Sequence, residues 1–108
     1  MAYDLQLSAR LQRALKNHPV AEKKMFGGVA FLLNGNMLVG VHGDNLIARV
    51  GPDKYEACLL RPHTKPFDMT GRPMTGWVEV LPMGCARDED LEPWVTICLE
   101  FVTTLPKK

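Results

Sequence analysis

Asn34-Gly35 constrains the fold more than any other feature of the sequence, because it lies between two apolar, β-rich runs at residues 29–33 and 37–41. An Asn-Gly pair in that position indicates a hairpin, since a type I′ turn needs positive φ at both central residues. Gly43-Asp44 is a second turn signal, and another apolar run at residues 46–50 follows it. The sequence therefore predicts an antiparallel meander of three strands.

Helical periodicity is found near both ends of the chain. Leu7, Leu11 and Leu15 recur at helical spacing and predict a first helix over about residues 4–17. Apolar side chains between Leu91 and Leu105 follow the same spacing and predict a terminal helix. In that helix Pro93 is expected in the first turn, because deeper in the helix it would remove a backbone hydrogen bond.

The segment between the meander and the terminal helix carries three weaker signals. Gly51-Pro52-Asp53 predicts the start of a short helix. The proline-rich residues 61–75 predict a long surface loop, and residues 76–81 alternate as a fourth strand would. The expected fold is α+β with two layers, in the order helix, three strands, helix, strand or strands, helix. It has an antiparallel sheet of about four to five strands with helices packed on one face, in a single domain over residues 1–108.

The charge balance is nearly even. The 13 Lys and Arg residues and 12 Asp and Glu residues give a net charge of +1, whereas nucleic-acid-binding modules are usually strongly basic. Charge therefore does not indicate nucleic acid as a partner. The amino terminus has no basic segment followed by an apolar run, and no apolar stretch approaches the length of about 18 residues that crosses a membrane. We expect a soluble, cytoplasmic protein with no membrane contact.

The chain has three cysteines, Cys58, Cys85 and Cys98. Their odd number and the lack of a C-x-x-C spacing argue against a disulfide scaffold and a zinc site. Cys58 and Cys98 fall on apolar helix stripes and are expected in the core, whereas Cys85 falls in a predicted loop and is the one candidate for a reactive thiol. The three histidines are scattered, and the acidic residues 88–92 suit a helix start. We therefore predict no catalytic residue, no cofactor, no metal and no enzyme activity.

Gly27-Gly28 invites comparison with a phosphate-binding loop, but the glycines precede a strand and no Lys-Ser or Lys-Thr follows them. Their expected role is a tight bend or a close backbone approach. The basic pair just before them, with an aromatic neighbour, is a candidate contact for an anionic partner. The interaction candidates are Lys23, Lys24, Met25, Phe26, Gly27, Gly28 and Arg49.

The predicted meander is apolar on both faces, since Met37, Val39 and Val41 as well as Leu38 lie in its second strand. A single layer of helices covers one face only, so the other apolar face needs a partner if it stays exposed. A homodimer through the sheet or its edge is the economical expectation.

The segment Lys24-Met25-Phe26-Gly27-Gly28 and the hairpin after it resemble the amino-terminal domain of the TfoX/Sxy family of bacterial competence regulators. The blocks at residues 71–74 and 76–80 are similar to that family's pattern, as is the terminal segment 101–106. The resemblance covers nearly the whole chain. It implies a two-layer fold similar to type III secretion chaperones, and a regulatory role through protein partners rather than chemistry. The family's full-length regulators carry a second, helical domain, so this chain is expected to be the amino-terminal-like domain standing alone.

The residues and the resemblance together predict a non-catalytic regulatory or protein-interaction domain that binds a protein partner and forms a homodimer. One alternative is a nucleic-acid-associated transcriptional regulator, which would use a basic face formed by Lys23, Lys24 and Arg49. A further alternative is a small ligand-binding domain or an enzyme. That alternative needs a deep pocket with convergent polar groups, expected under residues 61–75.

Overall fold

Three helices and six strands make up the described part of the chain. The computed structural model describes residues 3–25, 27–68, 71 and 73–107. In chain order the elements are α1 (Leu5–Ala14), β1 (Val20–Met25), β2 (Gly28–Leu33), β3 (Asn36–His42), β4 (Asn45–Arg49), α2 (Tyr55–Leu59), β5 (Thr64–Asp68), β6 (Pro73–Val80) and α3 (Asp88–Val102). A short 3-10 turn at Pro82–Gly84 precedes α3. The strands form one antiparallel sheet in the order β1-β2-β3-β4-β6-β5.

Both predicted turns of the meander are confirmed. Asn34 and Gly35 have φ values of 55° and 82°, as a type I′ turn requires. Gly43 has a φ of 60°, and the residues that flank the second turn, His42 and Asn45, pair directly. These two turns set the register of β2, β3 and β4.

The helices pack on one face of the sheet and bury its apolar side chains. Leu7 and Leu11 of α1 are buried against this face, and Phe31 and Val39 of the sheet have no exposed surface. The buried stripe of α3 consists of Leu91, Trp94, Val95, Cys98 and Val102. The two-layer α+β fold predicted from the sequence is therefore confirmed.

The start of α1 is fixed by Asp4, whose Oδ1 accepts hydrogen bonds from the backbone amides of Gln6 at 2.9 Å and Leu7 at 3.2 Å. The helix ends at Ala14, short of the predicted residue 17. The amide of Lys16 donates to the carbonyl of Arg13, three residues back, so the chain tightens into a turn before Pro19.

Pro93 lies one turn deeper in α3 than predicted. The helix begins at Asp88, which makes Pro93 an interior residue rather than a first-turn residue. Proline has no N–H to donate to the carbonyl of Glu89, four residues back. Both residues are exposed, so water can take the place of the missing donor.

The sheet has six strands rather than the predicted four to five, because its two edge strands lack the alternation of apolar and polar residues that indicates a strand. β1 is mostly exposed and carries Glu22, Lys23 and Lys24, which gives no alternation to detect. The prediction of a loop over residues 61–75 is wrong, because β5 and the first part of β6 pair there. Pro66 is tolerated since β5 is an edge strand with only one neighbour to satisfy.

Candidate functional site

The sheet face opposite the helices, called here the outer face, is built from residues that are paired in register across all six strands. In strand order the central row consists of Lys23, Ala30, Gly40, Ile47, Glu79 and Lys65. Ala30 and Ile47 have no exposed surface in the single chain. The centre of the outer face is therefore covered without a second molecule.

Phe67 helps to cover this face from the β5 edge. Its ring is buried, 6.2 Å from the ring of His42 and 6.4 Å from that of Trp77, measured between centroids. A register shift between Pro66 and Asp68 accompanies this placement. The premise of the homodimer expectation, an exposed apolar sheet face, is thus not met, and the homodimer itself stays a prediction.

Glu79 is the buried charged residue of the outer face, with 7% of its surface exposed. Its Oε2 accepts a hydrogen bond of 2.6 Å from Nδ2 of Asn45 and lies 3.9 Å from Nδ1 of His42. Nζ of Lys65 is 4.0 Å from Oε1. A buried carboxylate needs such partners to offset the loss of water. The cluster joins the β3–β4 turn to the edge strand β5.

A shallow depression of about 350 Å³ lies beside this cluster on the β5–β6 hairpin. It is lined by Lys65, Pro66, Asp68, Pro73 and Glu79. Its place agrees with the one expected for a ligand pocket, under residues 61–75. Of the two lining carboxylates, Glu79 is engaged with Asn45, and Asp68 accepts a hydrogen bond of 2.7 Å from the amide of Gly71. One oxygen of each carboxylate thus holds a strand or a turn in place.

The basic interaction candidates do not form one surface. Lys23 and Lys24 are exposed neighbours on β1, so their side chains point to opposite faces of the sheet. Arg49 lies on β4, separated from β1 by β2 and β3. The basic face required for a nucleic-acid-associated regulator is therefore not assembled from these three residues.

The guanidinium of Arg49 is engaged inside the domain. It lies 4.9 Å from the centroid of Trp77 and 5.8 Å from that of Phe101, and its Nη1 donates to the carbonyl of Met37 at 3.3 Å. Burial lowers the pKa of Arg49 from its ordinary value. This side chain braces the end of β4 against its neighbours.

The two glycines between β1 and β2 have a structural role, as expected. Gly27 has a φ of +74°, a conformation that favours glycine. A Cβ on Gly28 would lie only 1.9 Å from the carbonyl oxygen of Val41, so the two backbones meet where no side chain fits. Met25 is half-buried, and Phe26 lies outside the described residues.

All three cysteines are free and buried, which corrects the expectation for Cys85. Its Sγ lies 3.8 Å from the carbonyl of Leu81, and only 2% of the residue is exposed. Burial raises the pKa of the Cys85 thiol, as it does for Cys58 and Cys98. A buried thiol with a raised pKa is a poor nucleophile, so the loop position does not make Cys85 reactive.

A second depression lies between the segment after α2, the 3-10 turn and the beginning of α3. It is called here the α3 groove and has a volume of about 330 Å³. Its lining residues are Arg61, Pro62, His63, Met83, Gly84, Glu89, Asp90, Pro93 and Trp94. The groove therefore combines apolar and charged side chains from the segment after α2 with those of the 3-10 turn and α3, which are about 20 residues further along the chain.

One large hydrophobic side chain is exposed in the α3 groove, and a second directly precedes a lining residue in the chain. Met83 lines it and is 72% exposed, and Leu60, next to Arg61 in the chain, is 87% exposed. The third exposed large hydrophobic residue among those described is Leu5 of α1, at 51%. Met83 follows no periodic pattern in the sequence, so only the fold shows that it lines one groove with Arg61.

The wall of the α3 groove is held in a fixed conformation. His63 has a φ of 62°, a backbone conformation that residues other than glycine rarely adopt. Its carbonyl accepts a hydrogen bond of 2.8 Å from the amide of Leu81. A Cβ on Gly84 would lie 2.7 Å from Cγ1 of Val80 and 3.2 Å from Cβ of His63. Strained backbone of this kind persists where the surrounding packing enforces it, often at functional sites.

The charges of the α3 groove are unevenly paired. Arg87, beside the groove, forms ion pairs with Glu89 at 2.9 Å and with Asp90 at 3.3 Å. The guanidinium of Arg61 lies 5.0 Å from the ring centroid of Trp94, a cation–π geometry. No salt bridge joins Arg61 to a carboxylate within residues 3–25, 27–68, 71 and 73–107.

Residues 11–102 match the family model of the TfoX N-terminal domain. The match spans most of the 108 residues, so the chain belongs to this family. No characterised protein and no solved structure matches the chain. In the part of the chain that the structure describes, no helix is both long and apolar enough to cross a membrane.

Proposed function

We propose that this member of the TfoX N-terminal domain family is a non-catalytic regulatory domain that binds another protein through the α3 groove. The observation that carries the proposal is the exposure of Met83 in the α3 groove, together with that of Leu60, which precedes the lining residue Arg61 in the chain. Single exposed hydrophobic residues are common on protein surfaces. An exposed Met83 that lines a formed depression, with the exposed Leu60 close by in the chain, is instead the kind of apolar surface that marks a protein interaction site.

The size of the contact suits a transient partner. Covering a leucine or methionine side chain contributes about 1.5–3 kcal/mol, so the two residues together supply about 3–6 kcal/mol before the cost of association. Trp94, which lines the groove with Met83, is buried, with 3% of its surface exposed. Such a contact favours reversible binding, as regulation requires.

The chemistry of the buried groups supports a role without catalysis. The three thiols are buried and their pKa values are raised, and Glu79 is held by Asn45. These thiols and this carboxylate are packed or hydrogen-bonded within the fold, which is a structural role. Three free thiols also suit a reducing compartment, which supports a cytoplasmic protein. The resemblance to competence regulators supports a regulatory partner.

The test is affinity capture from a cell lysate with three tagged proteins: wild type, the double variant Leu60→Ser/Met83→Ser, and the control Leu5→Ser. The control removes an exposed hydrophobic residue of α1, away from the α3 groove. We expect wild type and control to retain the same protein, and the double variant to retain at least about tenfold less of it. Equal retention by all three would contradict the proposal.

Light scattering on the same proteins tests the homodimer separately. A wild-type dimer that becomes monomeric in Leu60→Ser/Met83→Ser would show that the groove binds a second copy, and would contradict binding of a different protein there. A monomer at all concentrations, combined with groove-dependent capture, supports the proposal as stated.

A further inference from the structure

We infer that the α3 groove recognises an acidic-apolar peptide segment of its partner, in which a carboxylate lies next to a large aliphatic side chain. This inference rests on the proposed function and names the chemistry of the partner. It is carried by two features of the groove: a positioned guanidinium without a carboxylate partner, and apolar side chains beside it.

Arg61 supplies the anion-binding part of the groove. The guanidinium is held over the ring of Trp94 at 5.0 Å, and Trp94 itself is fixed by burial in the core. Stacking on an aromatic ring leaves the edge of the guanidinium, with its N–H donors, free to bind in the plane. Two parallel N–H groups match the two oxygens of a carboxylate, which makes bidentate binding the natural use of this side chain.

The acidic residues of the groove do not cancel this preference. Both Glu89 and Asp90 are ion-paired with Arg87, which lies at the start of α3. The charged residues that line the groove, Arg61, Glu89 and Asp90, sum to −1, and Arg87 beside the groove brings the total to zero. Of these four residues, Arg61 alone has no opposite charge within salt-bridge distance in the described chain. A basic peptide would have to displace Arg87 from its partners, whereas a carboxylate at Arg61 displaces nothing.

Met83 and the two lining prolines supply the apolar part of the site, and the exposed Leu60 precedes the lining residue Arg61 in the chain. Met83 is flexible and polarizable, so it adapts to aliphatic side chains of different shape. The volume of about 330 Å³ is at the lower end of the range for ligand pockets, about 300–1,000 Å³. That volume suits one or two side chains of an extended segment rather than a large folded surface.

The fixed wall of the groove favours a short peptide as the occupant. His63 has a φ of 62° and its carbonyl accepts a hydrogen bond from the amide of Leu81, so the wall next to Arg61 is already formed in the chain without a ligand. A preformed site spends less of its binding free energy on ordering itself. A peptide of a few residues can therefore bind measurably.

The experiment selects a random 12-residue peptide library displayed on phage against the immobilised full chain, then measures Kd for synthetic peptides by fluorescence anisotropy. We expect the enriched sequences to share an Asp or Glu within two positions of Leu, Ile, Val or Met. Arg61→Glu should weaken their binding by at least about tenfold. Arg61→Lys should recover only part of the loss, because it keeps the charge but not the bidentate geometry.

The matched control is Arg13→Glu, which makes the same charge change at an exposed residue of α1 outside the groove lining. Its Kd should stay within about twofold of wild type, since exposed charges at a distance are screened by salt. The amide region of the NMR spectrum of each variant checks that the variant is folded. Met83→Ser provides a second groove variant and should also weaken binding.

Enrichment of basic or uncharged peptides, no enrichment at all, or equal binding by wild type and Arg61→Glu would overturn the inference. These results are distinct from failure of the proposed function. If groove-dependent capture succeeds while the peptides lack an acid, the interaction role stands and the acidic-apolar chemistry falls. If capture also fails, both fall together.

Discussion

Replacing Gly28 with alanine is expected to destabilise the domain severely, whereas the same change at the neighbouring Gly27 is expected to be mild. An alanine Cβ at Gly28 would lie 1.9 Å from the carbonyl oxygen of Val41, and real Cβ contacts essentially never fall below 3.0 Å. The atom it meets is backbone, so no side-chain rotation relieves the clash. At Gly27 nothing lies within 4 Å of the new Cβ, and only its φ of +74° opposes the change.

The two costs can be estimated from these geometries. Moving the Val41 backbone by about 1 Å strains the β2–β3 pairing at Val29 and Val41, which we expect to cost about 3 kcal/mol or more. Alanine in the left-handed region at Gly27 costs about 1–2 kcal/mol. With an m-value of about 2 kcal/mol/M, the urea midpoint should fall by about 1.5 M for Gly28→Ala and by about 0.5–1 M for Gly27→Ala.

Urea denaturation followed by circular dichroism measures both midpoints, and the wild type run in parallel supplies the reference. If Gly28→Ala is too unstable to fold, the order of the two variants is still confirmed. A smaller midpoint shift for Gly28→Ala than for Gly27→Ala would refute the reasoning, because it would show that β2 and β3 do not approach each other closely at this point.

Three other predictions concern single side chains. Asp4→Ala should lower the free energy of unfolding by about 0.5–2 kcal/mol in urea denaturation, because it removes the acceptor for two α1 amides; an unchanged value would contradict the capping role. Glu79→Ala should lower the free energy of unfolding by about 1–3 kcal/mol, because it leaves Asn45 without its acceptor. In a double-mutant cycle, the double variant Glu79→Ala/Asn45→Ala should lose less free energy than the two single variants together, whereas strict additivity would show that the two residues do not interact. Burial raises the pKa of Cys98 above its ordinary 9.0 in the folded state, so its contribution to stability is complete below pH 9.0 and is lost as the pH rises further. The free energy of unfolding should therefore decline more steeply above pH 9.0 in wild type than in Cys98→Ala, by up to about 1.4 kcal/mol per pH unit, and parallel declines would argue against the buried thiol.

The sequence predicts the elements whose signals are local. Asn34-Gly35 determines a turn through its own φ preferences, and the α3 stripe from Leu91 to Val102 repeats at the helical period. The structure confirms both predictions. The sequence does not predict β1 and β5. Most residues of these two edge strands are exposed, so apolar and polar residues do not alternate along them. Charges in β1 and a proline in β5 protect these edges from pairing with other chains.

The candidate sites depend on contacts between distant residues, and the sequence carries little information about these. Glu79 alternates with valines and looks like an ordinary solvent-facing residue until the register places Asn45 and Lys65 beside it. Met83 is an isolated apolar residue that comes to lie with Arg61 and Trp94 in one groove only when the segment after α2 and the 3-10 turn pack near α3. Such sites are created by packing rather than by a motif.

The most direct test of the account is to locate the bound partner on the surface of the domain. The captured protein is added to the uniformly ¹⁵N-labelled chain, and the amide chemical shifts are followed by NMR. The account predicts that the largest changes occur at residues 60–63, 82–84 and 89–94, around the α3 groove. Changes centred on Lys23 and Lys24 of β1, or on the outer face around Glu79, would contradict it and would place the interaction site elsewhere.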